Sequence, residues 1–427
     1  MLTKDKKSEQ KTEMLTPDFP YPTKLFVEVT TKCNLKCSMC VKQTTDGIIP
    51  EGHLSLELFR RLEPAFPYLE AIILNGIGEP LLHPYLEDFI KRAKELVPEN
   101  AWVGFQSNGI LLTEDRALSL VDAGLDKICL SVDSVSKEKL SRIREGAEVS
   151  ELERAFRVLS KAKEMRRNNR LKVGIEFVLM KDNLIELPQT IEWAAEHGAS
   201  FAIVTQLLPY DKRIAQQAVY DTNTYEAISI YKKWKELASK EGIDILQYYD
   251  VFMKFFKNSY EEKLCAFVEQ MKAEAREKNT TLHIERLFAR DEEWFVRVED
   301  IFNQTREIAS IYGLDITLPE LAPKNNRRCE FVEAMSAFVS WDGSVHPCYF
   351  LWHRYVCYIG GLQKHVKPWI FGSLREHDIL EIWNKTATPS GYPAVHASGV
   401  QDCFIVCNDG ITYWLIGAGS IQKQLNK

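Results

Sequence analysis

Nowhere in the 427 residues is there an unbroken apolar run of about 18 residues, the length that marks a membrane-spanning helix. The opening stretch MLTKDKKSEQKTEMLTPDFP lacks the apolar centre of a secretory signal, so the expected location is cytoplasmic. Residues 1–21 read as a flexible N-terminal arm. A charge bias is missing too: 54 basic residues against 60 acidic ones leave a net charge of -6. Nothing in that balance draws the chain toward nucleic acid or an acidic membrane, and neither is expected as a partner. No internal repeat or low-complexity tract is found. Without an export signal, the ten cysteines are not expected to form a disulfide framework, because cytosolic thiols are kept reduced. Metal or redox chemistry is the better use for them. What is present is ordinary globular composition, 45% apolar and 27% charged, in a chain long enough for two or three domains.

Between residues 24 and 209, short apolar runs alternate with stretches of helical periodicity, the pattern of βα units on a parallel sheet. Six strands are predicted, at 24–30, 71–76, 102–109, 127–134, 172–180 and 201–209. Helices are predicted between them near 55–66, 85–96, 113–123, 149–168 and 185–197, with Thr113 as one N-cap. Polar and glycine-rich residues cluster just after the strands, as in TTKC, NGIGEP, QSNG and SVDS. In parallel α/β folds the loops at that edge converge on one site. Residues 211–325 read instead as an amphipathic helical insertion, with Tyr248, Phe252, Phe255, Phe256, Trp294 and Phe295 expected in helix cores. In the last hundred residues, AFVSW and SVHPCYF flank Asp342-Gly343, a strong hairpin signal.

Cys33, Cys37 and Cys40 form C-x3-C-x2-C directly after the first strand. Structural zinc sites close their tetrahedron with four protein ligands. Three thiolates leave a position open, as on a [4Fe-4S] cubane with one iron free to bind a small molecule. Zinc completed by a distant ligand, or a redox loop, remain the alternatives from these residues alone. Cys129 and Cys265 stand apart and are expected to be buried thiols.

This loop, in this place, resembles that of the radical S-adenosylmethionine (SAM) superfamily. The resemblance implies a partial (β/α)6 TIM-like barrel over residues 22–210, a SAM-binding [4Fe-4S] cluster on the three cysteines, and reductive cleavage of SAM to a 5'-deoxyadenosyl radical. It also implies cofactor contacts residue by residue. Gly76, Gly78 and Glu79 of NGIGEP would hold the SAM amino group. Gln106 and Asn108, with Ser131 and Asp133, would meet ribose and carboxylate, and Arg142 or Arg144 would pair with the carboxylate. Val178 and Leu179 would pack on adenine. Taken singly, each polar residue also suits a turn or a helix cap. No catalytic residue is assigned beyond the cluster, and the radical chemistry belongs to the cofactor.

Cys329, Gly343 and Cys348 stand in a C-x13-G-x4-C arrangement that resembles the SPASM or twitch auxiliary-cluster region. The resemblance implies a small C-terminal iron-sulfur domain over 326–427. Its auxiliary [4Fe-4S] cluster would take Cys329, Cys348, Cys403 and Cys407, with Cys357 either a further ligand or a buried thiol. A zinc site on four of these cysteines is the alternative. The whole most resembles SPASM-type maturases linked to tungsten cofactors or other metalloenzymes. That implies a protein, peptide or metallocofactor substrate and a reductant such as ferredoxin or flavodoxin. The rivals are a ribosomal-peptide enzyme forming thioethers or epimers, and a non-catalytic iron-sulfur carrier or zinc scaffold. A scaffold has no need of Glu79 and the other SAM contacts.

Overall fold

The computed structural model describes residues 21–43, 49–325 and 329–386. The six predicted runs are all strands: β1 (Lys24–Val27), β2 (Ala71–Ile73), β3 (Trp102–Ser107), β4 (Lys127–Ser131), β5 (Lys172–Leu179) and β6 (Phe201–Gln206). They lie side by side in sequence order and every pairing is parallel. Parallel neighbours need a crossover, and helices supply it. Leu86–Leu96, Glu114–Asp122, Val149–Met165 and Leu187–Glu196 fall close to the predicted ranges. The Thr113 hydroxyl accepts the Arg116 N–H at 3.2 Å, which satisfies one orphan donor of that helix's first turn.

Strand alternation divides the burial between two cores. Leu25, Val27, Ile72, Val103, Ile128 and Ile175 pack with the crossover helices. Phe26, Ala71 and Ile73 point the other way and share a second core with Phe338, Cys348, Phe350 and Cys357 from the C-terminal region.

Both edges of the sheet continue beyond the predicted barrel. Strand β7 (Asp315–Thr317) adds parallel to β6, and β8 (Ser336–Val339) adds parallel to β1. The stretch expected to be one helical insertion therefore divides. Residues 225–288 build a separate core around Tyr231, Leu264, Val268 and Met271. The helix Glu292–Tyr312 instead buries Val298, Phe302 and Ala309 in the main core and delivers the chain to β7. Periodicity shows which face of a helix is apolar and not which core receives it. Phe255 and Phe256 are 92% and 85% exposed, contrary to the helix-core expectation, because the chain around them is not helical and aligns no apolar stripe.

The hairpin at Asp342-Gly343 is present. Strands β8 and β9 (Ser344–His346) pair antiparallel, and Gly343 has φ +89°, a conformation glycine tolerates. Strands β10 (Tyr355–Ile359) and β11 (Leu362–Val366) form a separate ribbon. The short β12 (Gly372–Ser373) closes the far edge beside β9. Among the described residues no helix is long and apolar enough to cross a membrane.

Candidate active site at the strand ends

The three-cysteine loop is held by what lies between the cysteines. Leu35, Met39 and Val41 are buried and anchor it, while Cys33, Cys37 and Cys40 stay partly exposed at a cavity. Backbone bonds tighten it: the Cys40 N–H donates to the Cys37 carbonyl and the Gln43 N–H to that of Cys40, both at 3.0 Å. A two-residue antiparallel ladder sets Cys37 opposite Arg144, whose guanidinium lies 3.8 Å from the Cys37 sulfur. None of the three thiols is in a disulfide.

The NGIGEP loop closes against this segment. The Glu79 N–H donates to the Lys32 carbonyl at 2.8 Å, and a Cβ on Gly78 would stand 2.3 Å from the Thr30 carbonyl oxygen. Only glycine permits that approach. Glu79 is buried. Its carboxyl accepts from the Ser107 hydroxyl at 2.7 Å, the Asn108 N–H at 2.8 Å and the Leu81 N–H at 3.1 Å. A carboxylate has about four acceptor positions, so roughly one remains for a ligand ammonium. Burial raises its pKa despite those donors.

Gly76, Gly78, Glu79, Gln106, Asn108, Ser131 and Arg144 all line one cavity with the three cysteines. Gln106 accepts from the Asn75 amide at 2.8 Å. The Asn108 side chain donates to Asn34 at 2.9 Å and so ties β3's end to the cysteine loop.

Asp133, Arg142 and Leu179 are absent from the wall. Asp133 is fully buried and accepts from Arg144 Nε at 2.6 Å and the Val178 N–H at 2.7 Å, which makes it a support for the wall. Arg142 is mostly exposed and pairs with Asp182 at 2.6 Å. Leu179 belongs to the helix-side core, while Val178, one residue earlier and on the other face, lines the cavity.

Glu176, Thr205, Gln206 and Tyr210, not among the residues expected from sequence, line the same cavity. Glu176 stands beside Ser131 in the β4–β5 register. A glutamate inside the apolar run GIEFVLM, on the face of Val178, was the available signal. Its Oε1 has no hydrogen-bond partner among the described residues. Burial pushes its pKa well above the ordinary carboxylate range, the nearby Arg144 opposing. An acid whose folded pKa is raised stabilises the fold below its unfolded pKa, and that stability drains away as pH rises through the folded value. Replacing Glu176 by glutamine is therefore expected to raise the melting temperature at pH 8 by a few degrees, with little change near pH 4. Melting curves at the two pH values check this, and equal shifts at both would contradict it.

The cysteine loop can be tested against the group its spacing suggests. Burial raises all three thiol pKa values, and pushes Cys40 up to about 12. Thiols so placed become thiolates readily only beside a cation. Among the described residues, no three His, Cys, Asp or Glu side chains converge closely enough to hold a single metal ion. Three cysteine sulfurs on the wall of one cavity are a donor set that fits an iron-sulfur cluster.

The C-terminal cysteines are placed in part. Cys348 and Cys357 are buried in the second core, with Cys329 packed against it. Cys403 and Cys407 lie outside the described residues. Tyr349, Phe350 and Trp352, following Cys348, reach the cavity wall, so the C-terminal region covers the site.

A parallel sheet with three thiols and a ligand cavity gathered at its strand ends has the layout of a cofactor-binding α/β enzyme. Family models agree on which kind. Residues 27–194 match the radical SAM superfamily and residues 329–392 match the SPASM iron-sulfur cluster-binding domain. The chain carries a radical SAM domain followed by a C-terminal SPASM domain. It is 26% identical over 366 residues to the tungsten-containing aldehyde ferredoxin oxidoreductase cofactor-modifying protein of Pyrococcus furiosus, covering 84% of this chain and 80% of that one. It is also 29% identical over 219 residues to the GTP 3',8-cyclase of Clostridium perfringens, covering 50% of this chain and 64% of the cyclase. Among solved structures, anSMEcpe with bound SAM aligns at a TM-score of 0.49 and 15% identity, over 95% of this chain and 94% of that one. Streptococcus suis SuiB bound to SAM aligns at 0.47 and 12%, over 88% and 68%.

Proposed function

We propose that this enzyme matures a metalloenzyme by modifying its cofactor, with SAM held at the strand-end cavity and Cys33, Cys37 and Cys40 as the cluster ligands. Those thiolates would hold a [4Fe-4S] cluster, and together with SAM it would supply the reductive radical chemistry that yields 5'-deoxyadenosine. The protein's own part is positioning and exclusion of water. Glu79 offers an acceptor to the SAM ammonium, Arg144 a cation to its carboxylate, and Gln106, Asn108 and Ser131 polar contacts along the strand ends. Tyr210, Tyr349, Phe350 and Trp352 form an aromatic wall on the remaining side, suited to shielding a reactive intermediate. Cys329 and Cys348, with Cys403 and Cys407, are the proposed auxiliary-cluster ligands.

The observation that carries the reading is the convergence of three free thiols and the NGIGEP loop on one cavity. The substrate class is supported by similarity to the Pyrococcus cofactor-modifying protein, which runs through the insertion as well as the barrel. The reductant proposed is a ferredoxin or flavodoxin. The test adds the tungsten cofactor of an aldehyde ferredoxin oxidoreductase to reconstituted enzyme, SAM and reductant. Formation of 5'-deoxyadenosine should rise at least about tenfold, a difference of about 1.4 kcal/mol in effective barrier. No rise with that cofactor, alongside a rise with a precursor peptide, would shift the assignment to peptide modification.

A further inference from the structure

Glu28 lies just beyond β1 with none of its surface exposed, five residues before Cys33. A carboxylate taken out of water persists only when it is hydrogen-bonded or paired. Three separate segments meet that need here. Oε1 accepts the Ile77 N–H at 3.2 Å, and Oε2 accepts the Trp341 N–H at 3.3 Å. His353 Nε2 donates between them, 3.2 Å from Oε1 and 3.0 Å from Oε2.

Ile77 sits between Gly76 and Gly78 in the loop whose next residue, Glu79, faces the cavity. A Cβ on Gly76 would lie 2.4 Å from Glu28 Cγ, so the loop is pressed directly onto this side chain. Trp341 belongs to the β8–β9 turn. His353 follows Cys348 by five residues, after the single turn Tyr349–Leu351. The same turn supplies Tyr349 and Phe350 to the cavity wall. One buried carboxylate therefore fastens the NGIGEP loop to two parts of the C-terminal region.

We infer that Glu28 and His353 are positioning residues through which the SPASM region holds the NGIGEP loop in its SAM-binding shape. This rests on the proposed role of that loop in binding SAM. Groups that contact a ligand work only when a supporting shell fixes them, and here the support crosses from one region to the other. Neither Glu28 nor His353 lines the cavity, so loosening their link weakens SAM binding through the loop alone, and the coupling is reciprocal by thermodynamic necessity.

The experiment measures SAM binding to the iron-loaded enzyme by anaerobic equilibrium dialysis. His353→Phe removes the donor and is expected to raise the Kd about tenfold, the scale of one charge-assisted hydrogen bond. His353→Gln keeps an N–H donor and should stay within about twofold of wild type. In turnover, His353→Phe should raise the KM for SAM while kcat at saturating SAM changes less than about twofold. Cys348→Ala should also weaken SAM binding, and should add little in the His353→Phe background. A folded, iron-loaded His353→Phe enzyme with wild-type affinity would overturn the inference. If that variant fails to fold, Glu28→Gln, which preserves shape, is measured in its place, and wild-type affinity there overturns it equally. Wild type that binds no SAM would sink the functional reading itself, whereas binding by wild type with indifferent variants sinks only the positioning role.

Discussion

A Cys37→Ala enzyme is expected to form no 5'-deoxyadenosine above background while remaining folded. Losing a partner that merely orients a metal ligand already costs about 10–100-fold in metal affinity or activity, and losing the ligand itself should cost more. The side chain is small and partly buried, and the loop around it is anchored by Leu35, Met39 and Val41, so its removal leaves the core intact. Iron should fall from about eight per chain, two four-iron clusters, to about four. Iron and sulfide assays with melting curves check both halves. A Cys37→Ala protein with undiminished iron and activity would contradict the ligand assignment.

The second large effect is expected at Arg144. It forms a buried ion pair with Asp133, with side-chain exposures of 10% and 0%. Removing one partner of such a pair strands the other charge, a cost of about 3–5 kcal/mol. Arg144→Met should therefore lower stability by about that amount and greatly weaken SAM binding. Asp133→Asn in the same chain should recover a large part of the stability, because no unpaired charge remains. It should not restore SAM binding, since the cation at the cavity is still missing. Denaturant titration and SAM binding separate the two effects. A stable Arg144→Met protein would show that Asp133 is satisfied without it.

The contrast between Arg142 and Arg144 illustrates what the sequence left open. The two are separated by one residue in SRIREG, and either suited a carboxylate contact by type and place. The difference comes from the ladder between Lys36–Cys37 and Arg144–Glu145, a long-range pairing of two residues a side that leaves no periodic signal. The strands and their order were legible because each is an apolar run bounded by turn residues and helices, and parallel connection follows from that alternation. The three cysteines and the NGIGEP loop were legible because their spacing is local. Asp133 was read as a ligand contact, and it stands one layer behind the wall, bonded to Arg144 and the Val178 N–H. Glu28 and His353 are 325 residues apart, and nothing in either neighbourhood announces the other.

The most direct test of the central claim needs no knowledge of the substrate. The protein is reconstituted anaerobically with iron and sulfide, given SAM and dithionite, and assayed for 5'-deoxyadenosine and methionine. The geometry of the thiols and the NGIGEP loop predicts both products in equal amounts from wild type, and neither from Cys37→Ala. Wild-type protein that carries its iron yet forms no 5'-deoxyadenosine would contradict the catalytic reading and leave an iron-sulfur carrier in its place.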